Sequence, residues 1–166
     1  MYRKIDDFIS DYRRESESTN KILKSIDTSK KSIRINENIR SPERLVWHMT
    51  QSISKMKFRT GLCEKDELAG ESIPVDFEDL ISIYNNQVNS VLNNLKAQWN
   101  DSMLEEKMDF FGENYAKGII LSSIITHEIH HRAQLTIVMR ALGMEVPGVY
   151  GPSKAEWAKF KMPAQE

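Results

Sequence analysis

Two histidines four residues apart are the side chains in this sequence best placed to do chemistry. His127 and His131 interrupt a stripe of apolar residues at helical spacing that includes Ile124 and Leu135. Residues four apart on an α-helix are separated by about 40° around the axis and about 6 Å along it, so both imidazoles leave the same face. Two neutral histidines without partners are costly in an apolar wall, whereas imidazole nitrogens are good ligands for a divalent cation. The spacing therefore indicates a metal site.

The same stretch, His127-Glu128-Ile129-His130-His131, also satisfies the His-Glu-x-x-His pattern of zinc peptidases, in which Glu128 would be the general base. That class needs a third ligand further along, typically a histidine six residues after the second or a glutamate about 20 or more residues on. Position 137 is isoleucine, and Glu145 and Glu156 lie in or after a turn. The peptidase is therefore the weaker alternative. Because Glu128 is about 100° from His127 around the helix, we expect it to be an exposed charge.

A third ligand for this metal has to come from elsewhere in the chain, because a catalytic zinc-type site usually has three protein ligands and an open position. The sequence has four histidines, and His130 is offset from the face that His127 and His131 share. The remaining one, His48, lies at the edge of an apolar stripe in an earlier predicted helix. If those two helices face each other, His48, His127 and His131 converge.

Four long amphipathic helices are predicted to position these residues. They cover residues 3–26, about 42–60, 77 to about 98, and 117–142. Ser41-Pro42-Glu43 begins the second helix, with serine as the N-cap and proline at the first helical position. Asp76 is the predicted N-cap of the third, and Val75 is placed to pack on Leu80 as a hydrophobic staple.

Two shorter elements complete the prediction. Residues 103–116, around Gly112, form a short hairpin or an irregular flap, and Ser153 with Glu156 makes a capping box for a last short helix. The predicted fold class is all-α: one four-helix bundle domain over residues 1–166, with a short C-terminal helix and a small hairpin or flap before the last long helix. The links between the long helices are too long to fix the order of the helices around the bundle.

The composition excludes several classes of function. Lysine plus arginine (23) nearly equals aspartate plus glutamate (24), so no strong positive field gathers nucleic acid. No run approaches the roughly 20 apolar residues that cross a membrane, and the N-terminus lacks the apolar centre of a signal peptide. We therefore expect a cytoplasmic protein without nucleic-acid or membrane partners. The single cysteine, Cys63, precedes acidic residues that raise a thiol pKa, and we do not expect it to be a nucleophile.

With these residues in place, the sequence resembles the DinB superfamily, including its bacillithiol-transferase-like members. The resemblance spans most of the chain in the same order, and its most specific part is a His-x-x-x-His-Arg-x-Gln block. The residues that carry it are Leu45-Val46-Trp47-His48-Met49, His127-Glu128-Ile129-His130-His131-Arg132-Ala133-Gln134-Leu135 and Val146-Pro147-Gly148-Val149-Tyr150-Gly151-Pro152. It implies a four-helix bundle, often a homodimer, with a divalent metal held by His48, His127 and His131. Its enzymatic members are thiol-dependent transferases or hydrolases, and many members have no known activity.

The expected function is metal-dependent transfer of a low-molecular-weight thiol to a small-molecule electrophile. Zinc or nickel is the favoured metal, with iron or manganese as further candidates. Two alternatives stay open: a metal-dependent hydrolase of small molecules, and a non-catalytic metal-bound structural or stress-response module. No catalytic side chain is identified. Arg132 and Tyr150 are candidates for substrate binding. Arg132 either holds an anionic substrate group or pairs with acids on a neighbouring helix, and Tyr150 either lines the pocket mouth or seals the end of the bundle.

Overall fold

Four long helices carry the fold in the computed structural model, which describes residues 1–163. They are α1 (Ile5–Lys24), α2 (Pro42–Arg59), α3 (Phe77–Gln98) and α4 (Lys117–Ala141). Each of the predicted apolar stripes is buried, because burying apolar surface is the main favourable contribution to folding. The predicted all-α bundle is confirmed, and α1 is slightly shorter at both ends than its apolar stripe indicates.

The packing contacts settle the order of the helices, which the sequence left open. α4 packs against both α1 and α2, and α3 packs against the same two helices from the other side. Each helix therefore has two principal neighbours around one common core. The largest fully buried side chains of that core include Tyr12, Tyr84, Phe8, Ile22, Leu23, Met49, Leu80, Leu95 and Ile120. α4 is thus enclosed from two directions, and this decides where its polar residues lie.

The predicted first residues of α2 and α3 are confirmed, but the predicted capping interactions are only partly present. Ser41 is the N-cap of α2 and Pro42 its first residue, although the Ser41 hydroxyl makes no capping hydrogen bond. Asp76 caps α3 by accepting a hydrogen bond of 2.8 Å from the backbone N–H of Glu78. The predicted staple is wrong: Val75 is 94% exposed. Lys31 Nζ donates to the Val75 carbonyl oxygen at 2.7 Å, and the chain enters α3 with this side chain turned to solvent.

A small antiparallel hairpin precedes α4. Of the two forms predicted for residues 103–116, a hairpin and an irregular flap, the structure has the hairpin. Strands β1 (Lys107–Phe110) and β2 (Glu113–Ala116) pair with Phe110 opposite Glu113. The two turn residues, Phe111 and Gly112, both have positive φ angles of 58° and 88°. Two consecutive positive φ values are typical of the tight turns that match the twist of a hairpin, but they are unfavourable for phenylalanine.

The remaining elements are short 3₁₀ helices at Thr28–Lys30, Asp101–Glu105 and Lys154–Phe160. The last is the predicted short C-terminal helix. Its capping box is present, with the backbone N–H of Ser153 donating to Glu156 Oε2 at 2.7 Å. Within residues 1–163, no helix is both long enough and apolar enough to cross a bilayer.

Candidate metal centre

The three predicted ligands, His48 on α2 and His127 and His131 on α4, lie together in the structure. His48 Nε2 is 3.1 Å from His131 Nε2, which is 3.2 Å from His127 Nε2. The two histidines of α4 come from successive turns of one face, and the packing of α2 on α4 adds the third. All three ligand atoms lie within 4.8 Å of one another. The predicted convergence of these side chains is therefore confirmed.

Gln134 fixes which nitrogen of His131 points into this cluster. The Gln134 side-chain oxygen, Oε1, lies 2.8 Å from His131 Nδ1, and a carbonyl oxygen can only accept a hydrogen bond. Nδ1 therefore carries the proton in the neutral ring, and the lone pair is on Nε2. The amide nitrogen of the same Gln134 lies 3.0 Å from His130 Nε2. Such outer partners orient metal-ligating histidines and set their tautomer.

The surroundings keep the three imidazoles neutral. Burial, together with the nearby His131, Arg40 and His127, lowers the pKa of His48 to about 4. Burial also lowers the pKa of His127 to about 4, with His131 and His130 acting in the same direction. The pKa of His131 is lowered as well, first by burial, although its hydrogen bond to Gln134 opposes the shift. Neutral histidines offer free lone pairs, which is the form that binds metal.

The geometry fits a divalent cation. Two ligands at about 2.0–2.1 Å from a tetrahedral centre are about 3.3–3.4 Å from each other, close to both measured separations. Three facing nitrogens with lone pairs repel each other unless a proton or a cation lies between them. No carboxylate or thiol from residues 1–163 joins the three histidines as a fourth ligand. The set of donors therefore matches a three-histidine site with an open position.

A cavity of about 670 Å³ opens beside this cluster. His48 and His127 form part of its wall, and the hairpin tip brings Phe110 and Phe111 to another side. The remaining lining residues are Gln51, Ser52, Lys55, Met56, Asp66, Leu68 and Ala69. Cavities of this size with mostly apolar walls and a few polar groups are typical of small-molecule sites. His48 and His127 are thus accessible from a space that can hold a small organic molecule.

The prediction that Glu128 is an exposed charge is wrong. Its side chain is 2% exposed and turns toward α1 and α3, away from the histidine face. Glu128 Oε1 accepts hydrogen bonds of 2.6 Å from both the Thr19 and Tyr84 hydroxyls. Burial raises the pKa of Glu128, and the hydrogen bonds from Thr19 and Tyr84 oppose that rise. With its acceptor oxygen engaged by the core, Glu128 does not occupy the position that a peptidase general base requires.

Arg132 and Tyr150 lie in a second polar cluster rather than at the cavity beside the histidines. Arg132 is 3% exposed, and its Nη2 donates to Glu15 Oε2 at 2.7 Å. Tyr150 Oη accepts from Arg132 Nη2 and donates to Glu15 Oε2, both at 2.6 Å. The interpretation that Arg132 pairs with an acid on a neighbouring helix is therefore confirmed. Substrate binding by Arg132 and Tyr150 stays a prediction, and they line a separate cavity of about 220 Å³.

Several residues of this region carry no signal in the sequence. Gln134 lies within the block that suggested the family, but its contact with His131 follows only from side-chain geometry. Lys55 and Phe111 come together because the hairpin folds back over α2, and nothing in either segment indicates this. Glu15 lies in a stretch of α1 that is polar on every side, where burial of one acid is not predicted. The pKa of the Cys63 thiol is raised, as expected, although burial is the main cause.

Comparison with known proteins agrees with this arrangement. The model of the DinB family matches residues 1–166. The chain is 32% identical over 164 residues to the uncharacterized protein YrdA of Bacillus subtilis strain 168, covering 99% of this chain and 98% of YrdA. A DinB-like protein from Bacillus cereus ATCC 10987 superposes with a TM-score of 0.80 at 31% identity, covering 90% of this chain and 100% of that one.

The same fold recurs at lower identity. The DinB-like protein YjoA of Bacillus subtilis superposes with a TM-score of 0.68 at 20% identity, covering 86% of this chain and 97% of YjoA. At that identity the likeness concerns the fold alone. The match of the family model over the whole chain, together with YrdA and the Bacillus cereus structure, identifies the chain: it belongs to the DinB family.

Proposed function

We propose that this protein is a metal-dependent thiol transferase that acts on small molecules. The observation that carries the proposal is the combination of three neutral imidazoles facing one point with a cavity of about 670 Å³ beside them. A structural metal site is normally closed by a fourth protein ligand, whereas a catalytic one keeps a position open to the substrate. Within residues 1–163 no fourth His, Cys, Asp or Glu closes this one.

The metal supplies Lewis acidity, which lowers the pKa of a thiol or a water molecule placed beside it. Zinc or nickel suits the imidazole ligands. The three histidines would hold the cation without cancelling its charge, because each of them is neutral. Gln134 keeps the His131 lone pair directed at the cation. The walls of the cavity are mostly apolar, which suits the organic part of a small substrate.

The proposed reaction needs no nucleophile from the protein. The thiol loses its proton to solvent, and its sulfur forms a bond to an electrophilic carbon of the second substrate. The bond from that carbon to its leaving group breaks, and the leaving group departs with the electron pair. Cys63 does not line the cavity, so the thiol has to be a separate small molecule.

The test combines elemental analysis of the purified protein with a panel of thiols and electrophiles. Cysteine, glutathione and other small thiols are offered with 1-chloro-2,4-dinitrobenzene, and p-nitrophenyl acetate reports hydrolysis. We expect bound metal and thiol-dependent turnover, both lost in His131→Ala. Cys63→Ser serves as the control that excludes reaction of the protein's own thiol and should retain full activity. Ester hydrolysis without thiol transfer would move the assignment to a hydrolase, and bound metal without turnover of either kind would support a non-catalytic module.

A further inference from the structure

The cavity beside the histidines has a chemically distinct rim: Lys55 of α2 and Phe111 at the hairpin tip line it, and Arg59 of α2 lies next to Phe111. Lys55 Nζ lies 5.3 Å from the centre of the Phe111 ring, and the Arg59 guanidinium carbon lies 5.5 Å from it. The two cations are one helical turn apart, so they lie on the same side of α2. Both are exposed, and no acidic side chain of residues 1–163 forms a salt bridge with either of them. Their charges are available to a ligand.

The one acid that lines the cavity does not neutralise this rim. Asp66 Oδ1 accepts hydrogen bonds from the Ser54 hydroxyl at 2.7 Å and from the backbone N–H of Leu68 at 3.3 Å. The Asp66 carboxylate is thus engaged by Ser54 of α2 and by its own loop. The other acid of this segment, Glu67, pairs with the buried Lys57 at 2.7 Å. Positive charge therefore dominates the rim of the cavity.

The backbone conformation of Phe111 also supports a binding role for this rim. This residue has a φ angle of 58°, a left-handed conformation that is unfavourable for an aromatic side chain and is normally occupied by glycine, asparagine or aspartate. It is 49% exposed, so burial in the core does not explain it. Backbone strain at such a position indicates that the side chain serves a purpose other than folding. Here it places a ring at the edge of Phe110, with ring centres 4.7 Å apart, and makes an aromatic wall.

We propose that this cavity binds small organic anions with an aromatic body. The negative group would lie at Lys55 and Arg59, the aromatic body against Phe110, Phe111 and Leu68, and the reacting end at His48 and His127. The inference deepens the proposed function and rests on it for the meaning of the reacting end. The binding preference itself does not depend on the metal, because the rim and the aromatic wall are formed by the protein alone.

The test uses a matched pair of fluorescent probes that share one aromatic skeleton. 1-Anilinonaphthalene-8-sulfonate carries a sulfonate, and N-phenyl-1-naphthylamine is its uncharged counterpart. Both are titrated into the full-length protein, as purified and after chelator treatment. We expect one site that prefers the sulfonate, and we expect Lys55→Glu to weaken sulfonate binding by about tenfold or more while it changes binding of the neutral probe little. Lys55→Met should give a smaller loss of the same kind.

Matched controls separate this cavity from other apolar surface. Lys21→Glu makes the same charge change on exposed α1 surface and should leave both affinities unchanged. Phe111→Ala should weaken the binding of both probes. Ile137→Ala truncates an exposed residue at a different cavity and should weaken the binding of neither. If Lys55→Glu lowered the affinity for both probes equally, or lowered neither affinity, the inference would be overturned. Metal analysis of the same samples keeps the outcomes apart: absence of metal contradicts the proposed function, and it leaves the comparison of the two probes valid.

Discussion

Two polar pairs on α4 have the same spacing and opposite surroundings. His127 and His131 face α2, and the residues that directly follow them, Glu128 and Arg132, face the core between α1 and α3. Glu128 and Arg132 are bonded to protein partners, through the Thr19 and Tyr84 hydroxyls and through Glu15. Within residues 1–163, the histidine nitrogens that face each other have no donor or acceptor besides one another. Only the histidine pair is left for a ligand.

The comparison shows that burial of polar groups does not by itself mark a functional site. Glu128 and Arg132 are the more buried of the two pairs, yet Glu128 Oε1 and the Arg132 guanidinium are bonded to protein groups, while Glu128 Oε2 has no hydrogen-bond partner within residues 1–163. A buried polar group that is satisfied internally stabilises one packing arrangement, whereas groups whose lone pairs converge without a donor require something from outside. Substitutions in the two pairs should therefore have different effects.

The largest effect is expected from Arg132→Met, which removes one partner of the buried ion pair. Glu15 is 4% exposed and would be left as an uncompensated buried charge. Loss of one partner in such a pair costs about 3–5 kcal/mol of the free energy of unfolding. Chemical denaturation should show this loss, with metal stoichiometry retained in the fraction that stays folded. Arg140→Met, at an exposed position of the same helix, is the control and should be near neutral. A loss of the same size in both variants would contradict a special role for the pair.

Removal of the metal should have the next largest effect, because α2 and α4 are then no longer joined at the histidines. A ligand that binds only the folded state at 100 times its Kd contributes about 2.7 kcal/mol. We expect chelator to lower Tm while helical circular dichroism at room temperature is kept, since the apolar core is independent of the metal. In His48→Ala, added metal should no longer raise Tm, whereas in His130→Ala it should still do so. Complete unfolding by chelator at room temperature would mean that the apolar core is weaker than described.

Glu128→Ala sharpens the comparison, because the substitution is adjacent to a ligand and lies on the other face. It leaves the Tyr84 hydroxyl without its acceptor, whereas the Thr19 hydroxyl keeps the Glu15 carbonyl oxygen at 3.1 Å, and we expect a loss of about 1–3 kcal/mol of the free energy of unfolding. Metal content, measured by elemental analysis, should be unchanged. Glu17→Ala, an exposed acid on α1, is the matched control and should be near neutral. Loss of metal at unchanged stability would place Glu128 with the ligands instead.

The smallest expected effect is that of Gln134→Leu. Without the acceptor at Nδ1, the His131 ring can rotate or change tautomer, and outer partners of this kind contribute about 10–100-fold to metal affinity. Competition with a chelator of known affinity measures the change, and the free energy of unfolding of the metal-free protein should stay nearly constant. Gln134→Glu restores an acceptor and should recover most of the affinity. Equal loss in both variants would exclude the hydrogen bond as the cause.

The sequence predicted those features of the fold that depend on periodicity. The four apolar stripes repeat with the helical period, so the helices followed, and the two histidines on one stripe indicated a site. His48 could be added because few histidines were available and because an apolar stripe placed it inward. The order of the helices could not be predicted, since long links permit several arrangements with equally buried stripes.

The wrong prediction that Glu128 is exposed also results from the unpredicted arrangement of the helices. An angle of about 100° from the ligand face reaches solvent only if a helix is covered from one side. α4 is covered by both α1 and α2, so this direction leads into the core. The partners that make burial tolerable, Thr19 and Tyr84, are 109 and 44 residues away along the chain. No local pattern joins residues so far apart.

The separation of these contacts along the chain has a consequence during synthesis. Glu15 and Arg132 are 117 residues apart, and His48 and His131 are 83 apart. A chain made from its N-terminus contains α1, α2 and α3 before α4 has been added. A nascent chain of that length has one of the three histidines and an unpaired Glu15. Closure of the bundle and completion of the metal site therefore both require α4, and an incomplete chain has no three-histidine site in which a cation could be trapped.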